Sequence, residues 1–440
     1  MSLLTFYVFV LMIIPSPLEF APLGGAGSPA TVFAAVLFGC YLLTWLHPAL
    51  APERAPQPVR FAAICFGCSI VATYVSANLH EMPTLELNGA DRGIILTCGW
   101  LGVLLLACDG IDRLYRLETL VRRIVLGATV MAAIAATQFF TGLNFAKYVV
   151  IPGLVSTQPF YDIGTRDALY RVSATAIDAI ELAAVLAVCL PLAVHLARFA
   201  APSRSLRRWS QSALIAAAIP MTLSRTGILA LTAAAIVMLP TWPRRDRRIA
   251  YAIGALGSLA MWAVVPGLAT AFRSLFSEVG SDTSSQSRTG AITSAEPFIH
   301  QHPWLGRGFG TFLPQTYFFT DDQYLHTLIE TGAFGLLALV GLLATGWFTA
   351  RSIRRVTADP QIRDLAQSLA AAIASAAVSF ATLDAFSFMI ISGMTFMLLG
   401  CVGALWRLTD ASPAVDPNVT SVLPARCDRP GKTVHGRHPS

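Results

Sequence analysis

The sequence predicts an all-α, polytopic membrane helix bundle of about twelve transmembrane helices, with a large outer loop between the ninth and tenth. Three observations predict it. Of 440 residues, 55% are hydrophobic and only 13% charged, with a mean hydropathy of +0.61, whereas a soluble domain carries about 25% charged residues. Apolar runs recur along the chain at close to the roughly 20 residues that a spanning helix needs. The basic residues gather in short clusters between alternate runs, which is how topology signals are distributed.

The runs lie near 3–22, 30–50, 59–79, 93–109, 120–141, 176–198, 209–221, 223–241, 249–267, 324–350, 365–383 and 385–406. The first lacks a basic start, so it does not read as a cleavable signal, and Pro15 and Pro17 mark a helix end. Arg54 and Arg60 separate the second run from the third. Cys65 and Cys68 form a CxxC within the third, where a redox or metal site would sit in lipid without further ligands, so they read as small apolar helix residues. Arg113, Arg116, Arg122 and Arg123 lie before and at the start of the fifth run, and Arg198, Arg204, Arg207 and Arg208 at and after the end of the sixth. The seventh run is short. Arg244, Arg245, Arg247 and Arg248 follow the eighth run, Arg351, Arg354, Arg355 and Arg363 the tenth, and five more basic residues lie at the C-terminal end. With a cytoplasmic N-terminus, 23 of the 31 Lys and Arg fall inside, seven fall outside, and Arg225 stands at a helix end. The positive-inside rule thus predicts both termini in the cytoplasm. The net charge of +6 forms no continuous face, which argues against nucleic acid as a partner.

Residues 1–408 form the predicted transmembrane domain, and 409–440, rich in Pro and charge, a disordered cytoplasmic tail. Two predicted outer segments are long, 141–175 and 268–323. Loops of that length usually work or are disordered. Within the second, "SDTSSQS" at 281–287 reads as mobile, and 289–301 as helical.

Outer loops normally avoid basic residues, so those there, with the ionisable residues beside them, are site candidates. Arg225 stands in the first turn of the eighth helix. There its guanidinium and the helix N-terminus would both favour an anion, or it could snorkel to ordinary lipid phosphate. Ser224 could cap this helix. In "SRTGAITSAEPFIHQHPWLGRGFGTF", 287–312, Arg288 precedes the helical stretch, and Arg307 sits in a turn built on Gly306, Gly308 and Gly310. GxGxG without a preceding strand reads as a tight backbone turn. His300 and His302, two apart in a loop, make a poor metal pattern. At the opening of the tenth helix, Asp321 and Asp322 are followed by Tyr324, His326 and Glu330. The i, i+4 spacing puts Asp322, His326 and Glu330 on one face, although acids are also common at helix starts. Arg171 closes the first long loop, and Asp178 and Glu181 open the sixth helix. All these groups are predicted on one side of the membrane.

The stretches "LSRTGILAL" at 223–231, "HPWLGRGFGTF" at 302–312 and "DDQYLHTLIETGAFGLL" at 321–337 resemble, in order, the Ser-Arg-Gly helix start, the HPxxGxGxxxF-like turn and the helix opening of the O-antigen ligase and polymerase family. "RVSAT" with the following Glu181 is similar to a further family segment, so the resemblance covers about 170–345. It implies a GT-C-type glycosyltransferase, independent of nucleotide sugars, in the bacterial inner membrane with its site facing outward. The donor would be an undecaprenyl-diphosphate-linked glycan, and chain-length regulators or flippases would be possible partners beside the lipid bilayer. Arg225 and Arg288 match the family's essential arginines, which implies pyrophosphate binding without a metal or other cofactor. Arg171, Glu181, Arg307 and Tyr324 are then substrate-binding candidates. Ligases carry a histidine where this chain has Asp321 or Asp322, so the resemblance leans toward polymerase and leaves the base open among Asp321, Asp322, His326 and Glu330. A secondary transporter or flippase is the alternative class, but it would place its charges at the bilayer midplane. A metal-dependent transferase using Asp321 and Asp322 is a further one.

Overall fold

The computed structural model describes residues 2–47, 56–79, 81–156, 163–166, 169–264 and 283–410. It contains helices α1 (Ser2–Ile13), α2 (Pro29–Leu46), α3 (Pro58–Asn78), α4 (Thr84–Gly110), α5 (Leu114–Thr141), α6 (Ala179–Arg198), α7 (Pro202–Met221), α8 (Arg225–Met238), α9 (Arg244–Val264), α10 (Thr283–Gln301), α11 (Gln323–Val356), α12 (Pro360–Phe380) and α13 (Met389–Asp410). Each predicted apolar run overlaps one of these helices. The additional helix, α10, begins at Thr283, so most of the stretch expected to be mobile is helical where it is described. The remainder of that stretch and the tail beyond Asp410 lie outside the described residues. Regular strands among the described residues are two short antiparallel pairs, Leu18–Glu19 with Val155–Ser156 and Thr165–Arg166 with Leu169–Tyr170.

Among the described residues, seven helices are long and apolar enough to cross a membrane: α2, α3, α4, α5, α6, α11 and α13. The outer surface agrees with a lipid surround. Phe6, Phe9, Leu43, Phe61, Val71, Ile236, Leu337 and Phe348 are all exposed, a distribution that water would not support over so large an area. The chain is a multi-pass membrane helix bundle. Its centre is α6 and α13, whose most apolar stretches are 83% and 89% buried, whereas that of α2 is 28% buried.

Side-chain bonds fix how the helices run. Gln367 and Ser375 of α12 donate to the carbonyls of Val237 and Ala230 in α8, so these two helices are antiparallel. Tyr324, in the first turn of α11, donates to the Ala377 carbonyl at 2.8 Å. Ser375 and Ala377 are two residues apart, so Ala230 and Tyr324 flank α12 at nearly one level. Arg225 lies five residues before Ala230, about 7.5 Å further along the axis, toward the end where α12 finishes and α11 begins. Glu181 of α6 accepts from the Ile390 amide of α13 at 2.7 Å. The starts of α6, α8, α11 and α13 therefore meet at one end of the bundle.

The opposite end is held by ion pairs. Asp364 joins His195 (2.8 Å) and Arg198, and Arg198 reaches Asp246 at 3.0 Å. Arg60 pairs with Asp109 at 3.3 Å. The arginine clusters that lie among the described residues fall at this end.

Candidate functional site

The positive-φ residues mark the candidate site. Among the described residues, the non-glycine residues with left-handed φ are Ala174 (52°), Leu223 (50°) and Asp321 (49°). Each lies just before a helix start, of α6, α8 and α11, at the same end of the bundle. A side chain in this conformation costs about 1–2 kcal/mol, and such strain collects at functional sites. Leu223 is fully buried, so the chain is locked as it enters Ser224 and Arg225. Ser224 occupies the cap position of α8, but its side chain makes no capping hydrogen bond. That leaves the first-turn amides without a side-chain cap, next to a half-buried Arg225.

The glycine turn docks on a break in α11. Gly332 has φ 63° and ψ −165°, a conformation that glycine alone adopts readily, and it splits α11 into a short opening helix and a long second part. Into this break pack the residues of the turn. Arg307 N donates to the Ile329 carbonyl (3.2 Å), Gly308 N to that of Glu330 (2.8 Å), Ala333 N to that of Pro303 (2.9 Å) and Phe334 N to that of Trp304 (3.2 Å). A Cβ on Gly306 would stand 2.3 Å from the Glu330 carbonyl, so the approach requires glycine. The Glu330 carboxylate, 3% exposed, accepts from Gly310 N (2.9 Å) and Phe312 N (3.1 Å). Beneath the turn, Trp100 stacks on Phe386 and Phe396 at 4.6 and 5.3 Å, with Phe309 edge-on to Phe386 at 5.8 Å.

His326 is enclosed by this assembly. Its Nε2 lies 3.2 Å from Glu330 Oε1, and its Nδ1 lies 3.5 Å from Asp384 Oδ2 and 3.1 Å from Thr320 Oγ1. The predicted His326–Glu330 face is thus a real contact. Asp322 occupies the cap of α11, its carboxylate accepting from Tyr324 N (2.8 Å) and Leu325 N (3.3 Å). Asp321 differs from its neighbours: among the described residues its carboxylate takes part in no hydrogen bond or ion pair.

The remaining candidates have structural partners. Arg307 donates to Glu86 (3.1 Å) and Tyr317 (2.7 Å) and lies over the Tyr317 ring at 4.7 Å. Burial and a hydrogen bond to Glu86 push the Tyr317 phenol above its ordinary range. Glu181, fully buried, accepts from the amides of Ile177 and Ile390. Tyr324 is anchored on α12. Arg171 bonds Asp178 at 3.1 Å, and Asp178 also caps α6. Arg288 lies in the helical stretch of α10, and its side chain is outside the described residues. His300 is exposed, 3.7 Å from Glu296. Among the described residues, no group of three or more His, Cys, Asp or Glu is arranged to hold a metal.

Sequence reasoning missed Glu86, Tyr317, Gln323 and Asp384. Gln323 donates to Thr327 and accepts from Phe386 N at 2.6 Å, joining α11 to the α12–α13 connection. An available signal was charge at apolar helix ends, which Glu86 and Asp384 share with Glu181.

Residues 211–340 match the family model described as O-antigen ligase. No curated protein matches the chain. The matched segment contains the start of α8, the glycine turn and the broken opening of α11, and over these residues the chain is similar to the O-antigen ligase family.

Proposed function

We propose that the protein is a GT-C-type glycosyltransferase of the bacterial inner membrane. It spans the membrane twelve times, with both termini cytoplasmic and the site facing outward. It moves a glycan from undecaprenyl diphosphate to an acceptor, polymerising O-antigen or exopolysaccharide repeats. The observation that carries this reading is the meeting of three parts of the family segment at one end of the bundle: an arginine at a helix start, a close-packed glycine turn and an acid-opened broken helix. Charges gathered at a bundle end suit chemistry at the membrane surface better than transport through its middle.

Arg225 and Arg288 hold the diphosphate. As the acceptor hydroxyl attacks the anomeric carbon, the bond from that carbon to the phosphate oxygen breaks. The departing diphosphate gains negative charge, which guanidinium groups stabilise through bidentate bonds. Asp321 takes the hydroxyl proton. Of the four candidates for base, it alone has a carboxylate or imidazole with no structural partner among the described residues, and its neighbours Asp322, His326 and Glu330 are engaged in caps and contacts.

Lysine keeps the charge but loses the fork. Arg225→Lys and Arg288→Lys are each expected to lower polymer formation about 100-fold, with protein levels in the membrane unchanged. Wild-type polymer in either variant would refute the diphosphate role. The family description favours a second reading, ligation of finished glycan to lipid A core. Deleting the gene separates the two: surface glycan reduced to single repeats indicates polymerase, and free polymer without its anchor indicates ligase.

A further inference from the structure

The transfer chemistry proposed above leaves the buried His326 without a task. Its contacts come from four segments. Glu330 is on its own helix and binds the glycine turn through Gly310 N and Phe312 N. Asp384 lies in the α12–α13 connection, where it also accepts from Ser387 Oγ at 2.6 Å. Thr320 immediately precedes the left-handed Asp321. The Phe312 ring meets the imidazole edge-on at 5.6 Å.

Glu330 and Asp384 approach opposite nitrogens of the ring and have side chains only 3% and 15% exposed. A neutral imidazole has one N–H and one lone pair, so it would turn the lone pair on one of these carboxylates. The imidazolium offers an N–H to both, with Thr320 Oγ1 sharing the Nδ1 side. Buried carboxylates require such a partner, and a charge fixed between two of them holds three segments together.

We propose that His326 is a positioning residue. As an imidazolium clamped between Glu330 and Asp384, it holds Thr320, and thereby sets the Thr320–Asp321 turn in which Asp321 receives the acceptor proton. Asp384 acts through His326 and does not touch substrate. The proposal rests on the transferase reading and on Asp321 as its base.

The test uses full-length protein produced in a strain lacking the chromosomal copy. Its membranes supply the accumulated lipid-linked glycan as donor, and initial transfer rates are measured against donor amount. His326→Gln and Asp384→Asn are each expected to lower kcat about 10- to 100-fold, because small misplacements of reacting groups cost that much. The KM for donor should not move, since the arginines hold it. The double variant should be no slower than His326→Gln alone. Asp384→Glu, which keeps the charge, should recover rate relative to Asp384→Asn, and this comparison carries the test if His326→Gln fails to accumulate. Wild-type kcat in the single variants, losses that multiply in the double variant, a change confined to KM, or equal rates for Asp384→Glu and Asp384→Asn would each overturn the clamp. Asp321→Asn separates the two ideas. If it is inactive while His326→Gln is normal, only the clamp fails. If it is fully active, or wild-type membranes transfer nothing, the functional reading fails and takes the clamp with it.

Discussion

Replacing Gly332 by alanine tests whether the break in α11 builds the site. An alanine Cβ at this position would stand 2.3 Å from the Trp304 carbonyl carbon and 2.4 Å from its oxygen, so the turn must retreat. Holding an alanine at φ 63° and ψ −165° costs about 1–3 kcal/mol. Retreat also removes the bonds from Ala333 N to Pro303 and from Phe334 N to Trp304, each worth about 1 kcal/mol net. The sum, about 3–5 kcal/mol, is a large share of a typical folding stability of roughly 5–15 kcal/mol. Gly341, nine residues along the same helix, is the control. Its added Cβ would meet nothing within 4 Å, and alanine should stabilise the helix there by about 0.5–1 kcal/mol. The assay is thermal melting in detergent, followed by size-exclusion chromatography, alongside polymer formation in cells. Gly332→Ala should melt about 3–5 °C lower and form little polymer, while Gly341→Ala behaves as wild type or better. Equal melting and equal polymer in both variants would refute the reasoning.

Two further substitutions separate scaffold from chemistry around Arg307 and Glu181, whose sequence positions suggested substrate binding. Glu86→Ala leaves Arg307 without its carboxylate and should cost about 3–5 kcal/mol of stability, read as a lower melting temperature; an unchanged melt would remove the structural role of the pair. Glu181→Gln turns an amide NH2 toward one of two backbone N–H donors, at Ile177 or Ile390, and should cost about 1–3 kcal/mol. Activity per folded molecule should retain its donor KM, and a raised KM would return Glu181 to the substrate site.

Helix positions were legible in the sequence because lipid imposes a strong rule: each spanning segment must satisfy its own backbone, and does so as an apolar helix. The proline signals also held locally, since α1 ends at Ile13, just before Pro15 and Pro17. Boundaries were less legible. α4 begins at Thr84, well ahead of the apolar run expected from 93, because its first turns carry Glu86, Asp91 and Arg92, which hydropathy excludes from a span. The helix at Thr283–Gln301 extends into a Ser- and Thr-rich stretch that composition assigns to a loop. The ordered motifs pointed to the region of the candidate site, but a motif names residues without naming their partners.

The sequence by itself determined that the protein is a helical membrane bundle with ionisable residues at helix openings in its second half. Local rules of hydropathy, charge and helix capping act over a few residues, and they suffice for that much. Only the tertiary structure decided which of those residues remain available. Arg307 is engaged by Glu86, 221 positions away, and Glu181 by the Ile390 amide, 209 away. Asp384 reaches His326 across a chain reversal. A buried charge is assigned its role by whatever opposite charge or donor packs against it, and that partner is brought by the fold from a distant part of the chain. Asp321 was one of four candidates for the base in the sequence. It is distinguished by the engagement of the other three.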